Sequence, residues 1–269
     1  MNNSPIGVFD SGVGGLSCVE ELIRLLPNED IVYLGDTARV PYGTRSRDTI
    51  IGYAREDIAF LIKHNVKMIL VACGTVSSVL DSVRDECGDI PVSGVVIPAA
   101  EAAYKATHNK KIGVIATGAS ISSGSYDRSL KAIDESVSVI GKACPMLVPL
   151  AENGYTAPDC PPARFFTEEY LSPVKELGVD TLILGCTHFP HFSEVISEYM
   201  GSDVTLISAS AELAKKASES LNASAQRADR KEEGRISLYC TDSETLFADN
   251  VRKFLGRDIN AQILKCKLV

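Results

Sequence analysis

Two cysteines carry the first chemical suggestion in this sequence. Cys73 ends the apolar run of "MILVACGTVSS" (68–78), and Cys186 ends that of "TLILGCTHFP" (181–190). Each has a threonine close by, Thr75 or Thr187, and neither continues into further apolar sequence. A thiol at a strand-to-helix turn would lie near a helix N-terminus, which lowers its pKa. His188 could hydrogen-bond a thiolate or donate to a substrate. One such cysteine is most often a small core hydrophobe. The repeated pattern is what points to chemistry.

Other polar residues fall at the ends of apolar runs. Asp10 and Ser11 open "DSGVGG" (10–15), a glycine-rich turn that half-matches the dinucleotide fingerprint but has Ser17 where the third glycine belongs. In "DTARVPYG" (36–43), Arg39, Tyr42 and the Gly43 backbone could hold a carboxylate or shape a pocket, with Pro41 building the turn. "PLAENG" (149–154) places Glu152 after an apolar stretch, and "ATGAS" (116–120) offers Thr117 and Ser120 as donors. No G-x-x-x-x-G-K-[ST] loop is present. The four histidines are His64, His108, His188 and His191. Cys186-x-His188 is not a usual zinc spacing, so no metal is expected.

These groups need elements to position them. Candidate strands are "PIGVFD", "DIVYLGD", "KMILVA", "IPVSGVV", "KIGVIAT", "SVSVIGKA", "TLILG", "DVTLIS", "ISLYCT" and "AQILK". Amphipathic helices alternate with them: "LSCVEELIRLLP" with Leu16, Val19, Ile23 and Leu26, and "DTIIGYAREDIAFLIKHN" with Ile51, Ala54, Ile58 and Leu61. Near-continuous apolar strands alternating with helices predict an α/β fold with mainly parallel sheets. Two similar α/β domains, each offering a cysteine from the C-terminal end of a strand, would form a site in the cleft between them. The charged stretch 222–234 reads as a solvated loop.

Composition narrows the function. The net charge of −8, from 27 basic and 35 acidic residues, argues against a nucleic-acid partner. No apolar run reaches membrane length, and the N-terminus lacks a signal-peptide pattern, so a cytoplasmic protein without membrane association is expected. The 8 cysteines form no C-x-x-C pair, which makes a disulfide framework unlikely in that compartment.

Taken in order, "FDSGVGGL", "GDTARVPYG", "ACGT", "PLAENG" and "GCTHFP" resemble the bacterial glutamate racemase family, from Ile6 to about Ser208. The resemblance implies an isomerase that interconverts L- and D-glutamate without a cofactor and supplies D-glutamate for peptidoglycan. It implies acid/base roles for Cys73 and Cys186, assisted by Asp10, Glu152 and His188. Asp10, Ser11, Pro41, Tyr42, Gly43, Gly74, Thr75, Thr117, Ser120, Thr187 and His188 would line the substrate site. It also implies a homodimer of chains with two α/β domains, residues 1–97 plus 208–269 and residues 98–207. The histidine of "GCTH" favours glutamate over the aspartate racemase relatives, which tend to have glutamate there.

Two opposed thiols suit racemisation. One removes the Cα proton, the other returns a proton to the opposite face, and the roles swap with direction. With no pyridoxal ring to take up the carbanion's charge, oriented donors in a dry cavity must do so. Two positions depart from the family pattern: Ser120 replaces a threonine, and Gly74 replaces an asparagine whose amide touches the substrate. Gly74 is expected to leave a small water-filled space, so that Gly74→Asn would keep activity and tighten glutamate binding. Rival readings are racemisation of another acidic amino acid such as aspartate, a cysteine hydrolase using one thiol with His188 as base, and a non-catalytic amino-acid-binding protein.

Overall fold

All ten runs expected to be strands form strands in the computed structural model, which describes residues 1–255 and 260–268. They are β1 (Ile6–Asp10), β2 (Ile31–Gly35), β3 (Met68–Val71), β4 (Val92–Gly94), β5 (Lys111–Ala116), β6 (Ser138–Ala143), β7 (Thr181–Leu184), β8 (Thr205–Ser208), β9 (Ile236–Cys240) and β10 (Ala261–Lys265). Six make one sheet in the order β10-β9-β2-β1-β3-β4, and four make another in the order β6-β5-β7-β8. Every recorded strand pair is parallel. Both sheets carry helices on their faces, which is why β1, β2, β3 and β7 are buried along their whole length and read as unbroken apolar runs.

The strand orders locate the sites. In the larger sheet the chain passes from β1 to β2 on one side and then to β3 on the other, so the order reverses between β1 and β3. In the smaller sheet the same reversal lies between β5 and β7. Loops leaving the C-terminal ends of such a strand pair diverge and open a crevice. Ser11 follows β1, Cys73 lies just past β3, Thr117 follows β5 and Cys186 lies just past β7.

The two sheets share an apolar layer. Helix Val96–Ala106 packs on Ala209–Ala223, which packs on Leu16–Leu25, and one cluster of buried side chains runs through all three helices. Ser208 caps helix Ala209–Ala223 by accepting from the Ala211 N–H at 3.3 Å. Ser17 and Ser210 hydroxyls meet at 2.8 Å between the two helices.

Two local expectations change. In helix Arg47–Lys63 the buried stripe is Ile50, Ala54, Ile58 and Leu61, with Asp57 also buried; Ile51 sits half-buried at its flank. The stretch 222–234 is tied down rather than free. Arg230 pairs with Asp30 at 2.5 Å, and Lys67 donates to the Gln226 carbonyl at 2.9 Å. Lys67 also forms a buried ion pair with Glu29 at 2.5 Å. Arg230 is spent on Asp30, while Lys231, Glu232 and Glu233 stay exposed, as a solvated loop would have them.

Candidate active site

The two reversal points face each other across one cavity of about 450 Å³, within the range of small-ligand sites. Cys73 enters it from the loop after β3 and Cys186 from the loop after β7. They are 5% and 7% exposed. Of the other residues expected there, Ser11, Pro41, Tyr42, Gly43, Gly74, Thr75, Thr117, Glu152, Thr187 and His188 also line the cavity. Asp10 and Ser120 are buried and stand behind the lining.

On the β7 side the polar groups form a chain. The Cys186 Sγ lies 3.7 Å from His188 Nδ1, and His188 Nε2 lies 3.1 Å from a Glu152 carboxylate oxygen. Burial pulls the His188 pKa down, but its bonds to Cys186 and Glu152 and the charges of Cys186 and Asp10 carry it up to about 10. A protonated His188 donates from both ring nitrogens, toward the Cys186 sulfur and toward Glu152.

On the β3 side the thiol is held differently. Cys73 donates to Ser11 Oγ at 3.6 Å. Burial, with the Asp10 charge adding to it, pushes the Cys73 thiol up to about 12, against the Val76 N–H, the Ser11 hydroxyl and the Ser11 N–H. The lowered pKa expected from a helix N-terminus is therefore not found at Cys73. The helix that follows, Gly74–Ser77, is one turn long, and its dipole is small beside the cost of taking a thiolate out of water. The same three donors stand ready for the thiolate once it forms.

Asp10 braces this wall. Its carboxylate accepts from the Gly12 N–H at 3.0 Å, and the Thr187 hydroxyl reaches it from the opposite lobe at 3.5 Å. Burial raises the Asp10 pKa, and the nearby His188 charge opposes that rise. The glycines of "DSGVGG" serve this packing rather than a dinucleotide. A Cβ on Gly14 would lie 2.3 Å from Thr187 Oγ1 and 2.5 Å from the His188 ring. The space beside Gly14 is thus filled by the residues following Cys186.

Hydroxyls connect the lobes a second time. Thr75 Oγ1 and Thr117 Oγ1 are 3.0 Å apart. Thr117 also meets Ser120 Oγ at 3.0 Å and caps helix Gly118–Ser123 by accepting the Ser120 N–H. Ser120 therefore acts on the cavity through Thr117.

In the "DTARVPYG" turn Tyr42, Pro41 and Gly43 shape the pocket, and the carboxylate-holding reading of Arg39 is corrected. Arg39 does not face the cavity. It pairs with Asp36, with Glu56 at 2.6 Å and with Asp57 at 3.4 Å, and it lies 4.1 Å over the Tyr53 ring. The Tyr42 hydroxyl turns the same way, donating to Asp36 and lying 3.3 Å from Asp57. Burial and the Asp36 charge hold Asp57 well above the usual carboxylate range, against the pull of Arg39. Tyr42 thus offers the cavity its ring and backbone, not its hydroxyl. No lysine or arginine is among the described residues lining the cavity. An anionic ligand there meets hydroxyls, backbone N–H groups and the His188 ring.

Gly74 lines the cavity, but the direction in which a side chain would leave it is not open. A Cβ on Gly74 would lie 2.4 Å from the Gly185 carbonyl oxygen of the opposite lobe. The room an asparagine would need is occupied by backbone.

The model of the Asp/Glu/hydantoin racemase family matches residues 6–217. The chain belongs to this family. Among members of the Asp/Glu/hydantoin racemase family, the glutamate racemase of Chlorobaculum tepidum is 43% identical over 259 residues, covering 96% of this chain and 94% of the relative. The crystal structure of a glutamate racemase isoform from Bacillus anthracis superposes with a TM-score of 0.92 at 37% identity, covering 98% of both chains. The Francisella tularensis glutamate racemase, solved in complex with D-glutamate, gives a TM-score of 0.91 at 34% identity, with 100% of this chain and 99% of that one covered. These family members share the two-sheet α/β fold described above.

The cavity also has walls that motif reading did not single out as site residues: Val40, Thr44, Gly118, Pro145, Val148, Pro149 and Gly185. Val40, Pro145 and Val148 give it an apolar side. An apolar residue in a loop carries little signal in one sequence. Their only hint was proximity to "VPYG" and "PLAENG". His191, by contrast, does not line the cavity. Burial and the neighbouring His188 charge lower its pKa to about 4. Among the described residues no three His, Cys, Asp or Glu side chains converge as a metal site would require.

Proposed function

We propose that this enzyme interconverts L- and D-glutamate by passing the Cα proton between two thiols, without a cofactor. The observation that carries the reading is the placement of Cys73 and Cys186, one from each lobe, on a single buried cavity. Cys186, 3.7 Å from the donating His188 ring, is assigned as the starting base, and Cys73, kept a thiol by burial, as the starting acid. That is one base and one acid on facing walls. The thiolate takes the Cα proton, and the opposite thiol gives its proton to the other face. The enzyme is left with the two charges exchanged, ready for the other enantiomer. The new Cys73 thiolate is received by Ser11 and the Val76 N–H. Hydroxyls of Ser11, Thr75, Thr117 and Thr187 and backbone N–H groups hold the substrate carboxylates and the charge that develops beside Cα.

The relatives' activity on glutamate supports the choice of substrate. The role that follows is supply of D-glutamate for peptidoglycan, in the cytoplasm, by a homodimer. The domain division proposed is 1–97 plus 208–269 and 98–207, in keeping with the return of helix Ala209–Ala223 to helix Leu16–Leu25. Among the described residues no helix is long and apolar enough to cross a membrane. The Cys186–His188–Glu152 chain would also suit a thiol nucleophile, but a hydrolase leaves Cys73 without a task.

The test is incubation with L-glutamate in D2O, following optical rotation and deuterium at Cα, with aspartate in parallel. Loss of rotation with one deuterium incorporated is expected for glutamate. Unchanged rotation with no exchange, a preference for aspartate, or a covalent adduct would reject the proposal.

A further inference from the structure

The residue after one thiol touches the residue before the other. Gly74 follows Cys73, Gly185 precedes Cys186, and a Cβ on Gly74 would stand 2.4 Å from the Gly185 carbonyl oxygen. Gly185 is itself fixed. Its N–H bonds the Ile115 carbonyl at 2.8 Å, and the buried Tyr126 ring lies against it, with the phenol oxygen 3.0 Å from where a Gly185 Cβ would stand. The obstacle facing position 74 is therefore backbone held from behind, not a side chain that could rotate away. We infer that the Gly74–Gly185 contact is the spacer that sets the separation of the two thiols, which makes Gly74 a positioning residue. This rests on the two-thiol reading of the site.

The consequence is geometric. Real Cβ contacts almost never fall below 3.0 Å. In this chain, with Gly185 held as it is, a Cβ at position 74 must therefore displace the backbone on one side of the contact by roughly half an ångström or more, judged from the 2.4 Å approach. A proton passed between two facing thiols through one Cα tolerates little added distance. Misplacement on the order of 1 Å costs about a hundred-fold in rate. The hydroxyls that hold the substrate carboxylates are not removed, so substrate affinity should change far less. This reverses the expectation for Gly74→Asn. Adding the amide should slow the enzyme rather than tighten its binding.

The atoms nearest the inserted Cβ belong to the opposite lobe, Gly185 and Ser120, so each lobe should fold as before. The experiment compares wild type with Gly74→Ala and Gly74→Ser, both checked by circular dichroism. For each, kcat and KM are measured with L-glutamate, together with the isotope effect from deuterium at Cα. Alkylation of Cys73 and Cys186 by iodoacetamide is followed by peptide mass spectrometry. Expected are a kcat lowered ten- to a hundred-fold, a KM within about three-fold of wild type, a larger isotope effect, and faster alkylation of both thiols as the seam opens. Wild-type kcat, isotope effect and alkylation in the variants would overturn the inference. So would loss of the folded state in both, since a spacer between finished lobes is not needed to fold them. If wild type itself fails to racemise glutamate, the proposed function falls, and the alkylation comparison still decides whether Gly74 holds the lobes together.

Discussion

Glu152→Gln should lower the pKa of His188 and move the basic limb of the activity profile with it. The amide keeps the shape of the carboxylate and can still accept the Nε2–H bond, now 3.1 Å long, but it carries no charge. Replacing a charge-assisted hydrogen bond by a neutral one removes about 1 kcal/mol. The Glu152 side chain is 39% exposed, so water screens part of this, and about two-thirds of it is a fair expectation. At 1.36 kcal/mol per pH unit, the His188 pKa drops by roughly half a unit from its position near 10. Loss of the His188 proton removes the donor facing Cys186, so kcat/KM should begin to fall about half a pH unit earlier in the variant. The two directions must move together, because L- and D-glutamate have equal free energy. Stability gives a second readout. A histidine raised in the folded state adds stability in full below about 6.5, and this is lost as pH rises through about 10. The fall in Tm over that window should be shallower in Glu152→Gln. The assays are kcat/KM against pH, imidazole titration by NMR and melting curves. An unmoved limb together with an unmoved His188 titration would refute the coupling.

The remaining predictions are more direct. Cys73→Ala and Cys186→Ala should each abolish racemisation while leaving circular dichroism unchanged, and full activity in either would reject the two-thiol mechanism. Arg39→Ala leaves the Asp36 carboxylate, 1% exposed, without its cation. It should cost about 3 kcal/mol and lower Tm by roughly 6–12 °C, with the KM for glutamate unchanged in the folded fraction. A raised KM at unchanged Tm would instead put Arg39 on the substrate. Dialysis against EDTA, with pyridoxal phosphate omitted, should leave the rate unchanged, as followed by polarimetry.

The central strands were legible because both faces of the sheet are covered there. Burial on two sides leaves an apolar run that one sequence displays openly, and a polar residue directly after such a run lies at the rim. Ser11, Cys73, Thr117 and Cys186 were visible for that reason. What stayed hidden depends on the lobes meeting. Nothing in "ACGT" says that a backbone carbonyl from a distant loop occupies the asparagine's room. Nothing in "DTARVPYG" says that Arg39 turns away toward Asp57, since that carboxylate sits in a helix and reads as an ordinary surface charge. The thiol shift at Cys73 was misjudged on the same ground: a helix end can be read from sequence, but exclusion of water cannot.

The order in which strands join the larger sheet bears on how the protein is made. β2 stands between β1 and β9, and β9 begins only at Ile236. During synthesis β1 to β4 emerge first, with the far edge of β2 open. At 5–20 residues per second, the stretch between β4 and β9 takes roughly seven to thirty seconds to appear. The smaller sheet, uninterrupted in the chain, is complete before that edge is covered. An open parallel edge recruits strands from other chains, so the ribosome-bound intermediate is exposed to aggregation until β9 arrives. A truncation before Ile236 would make that species permanent.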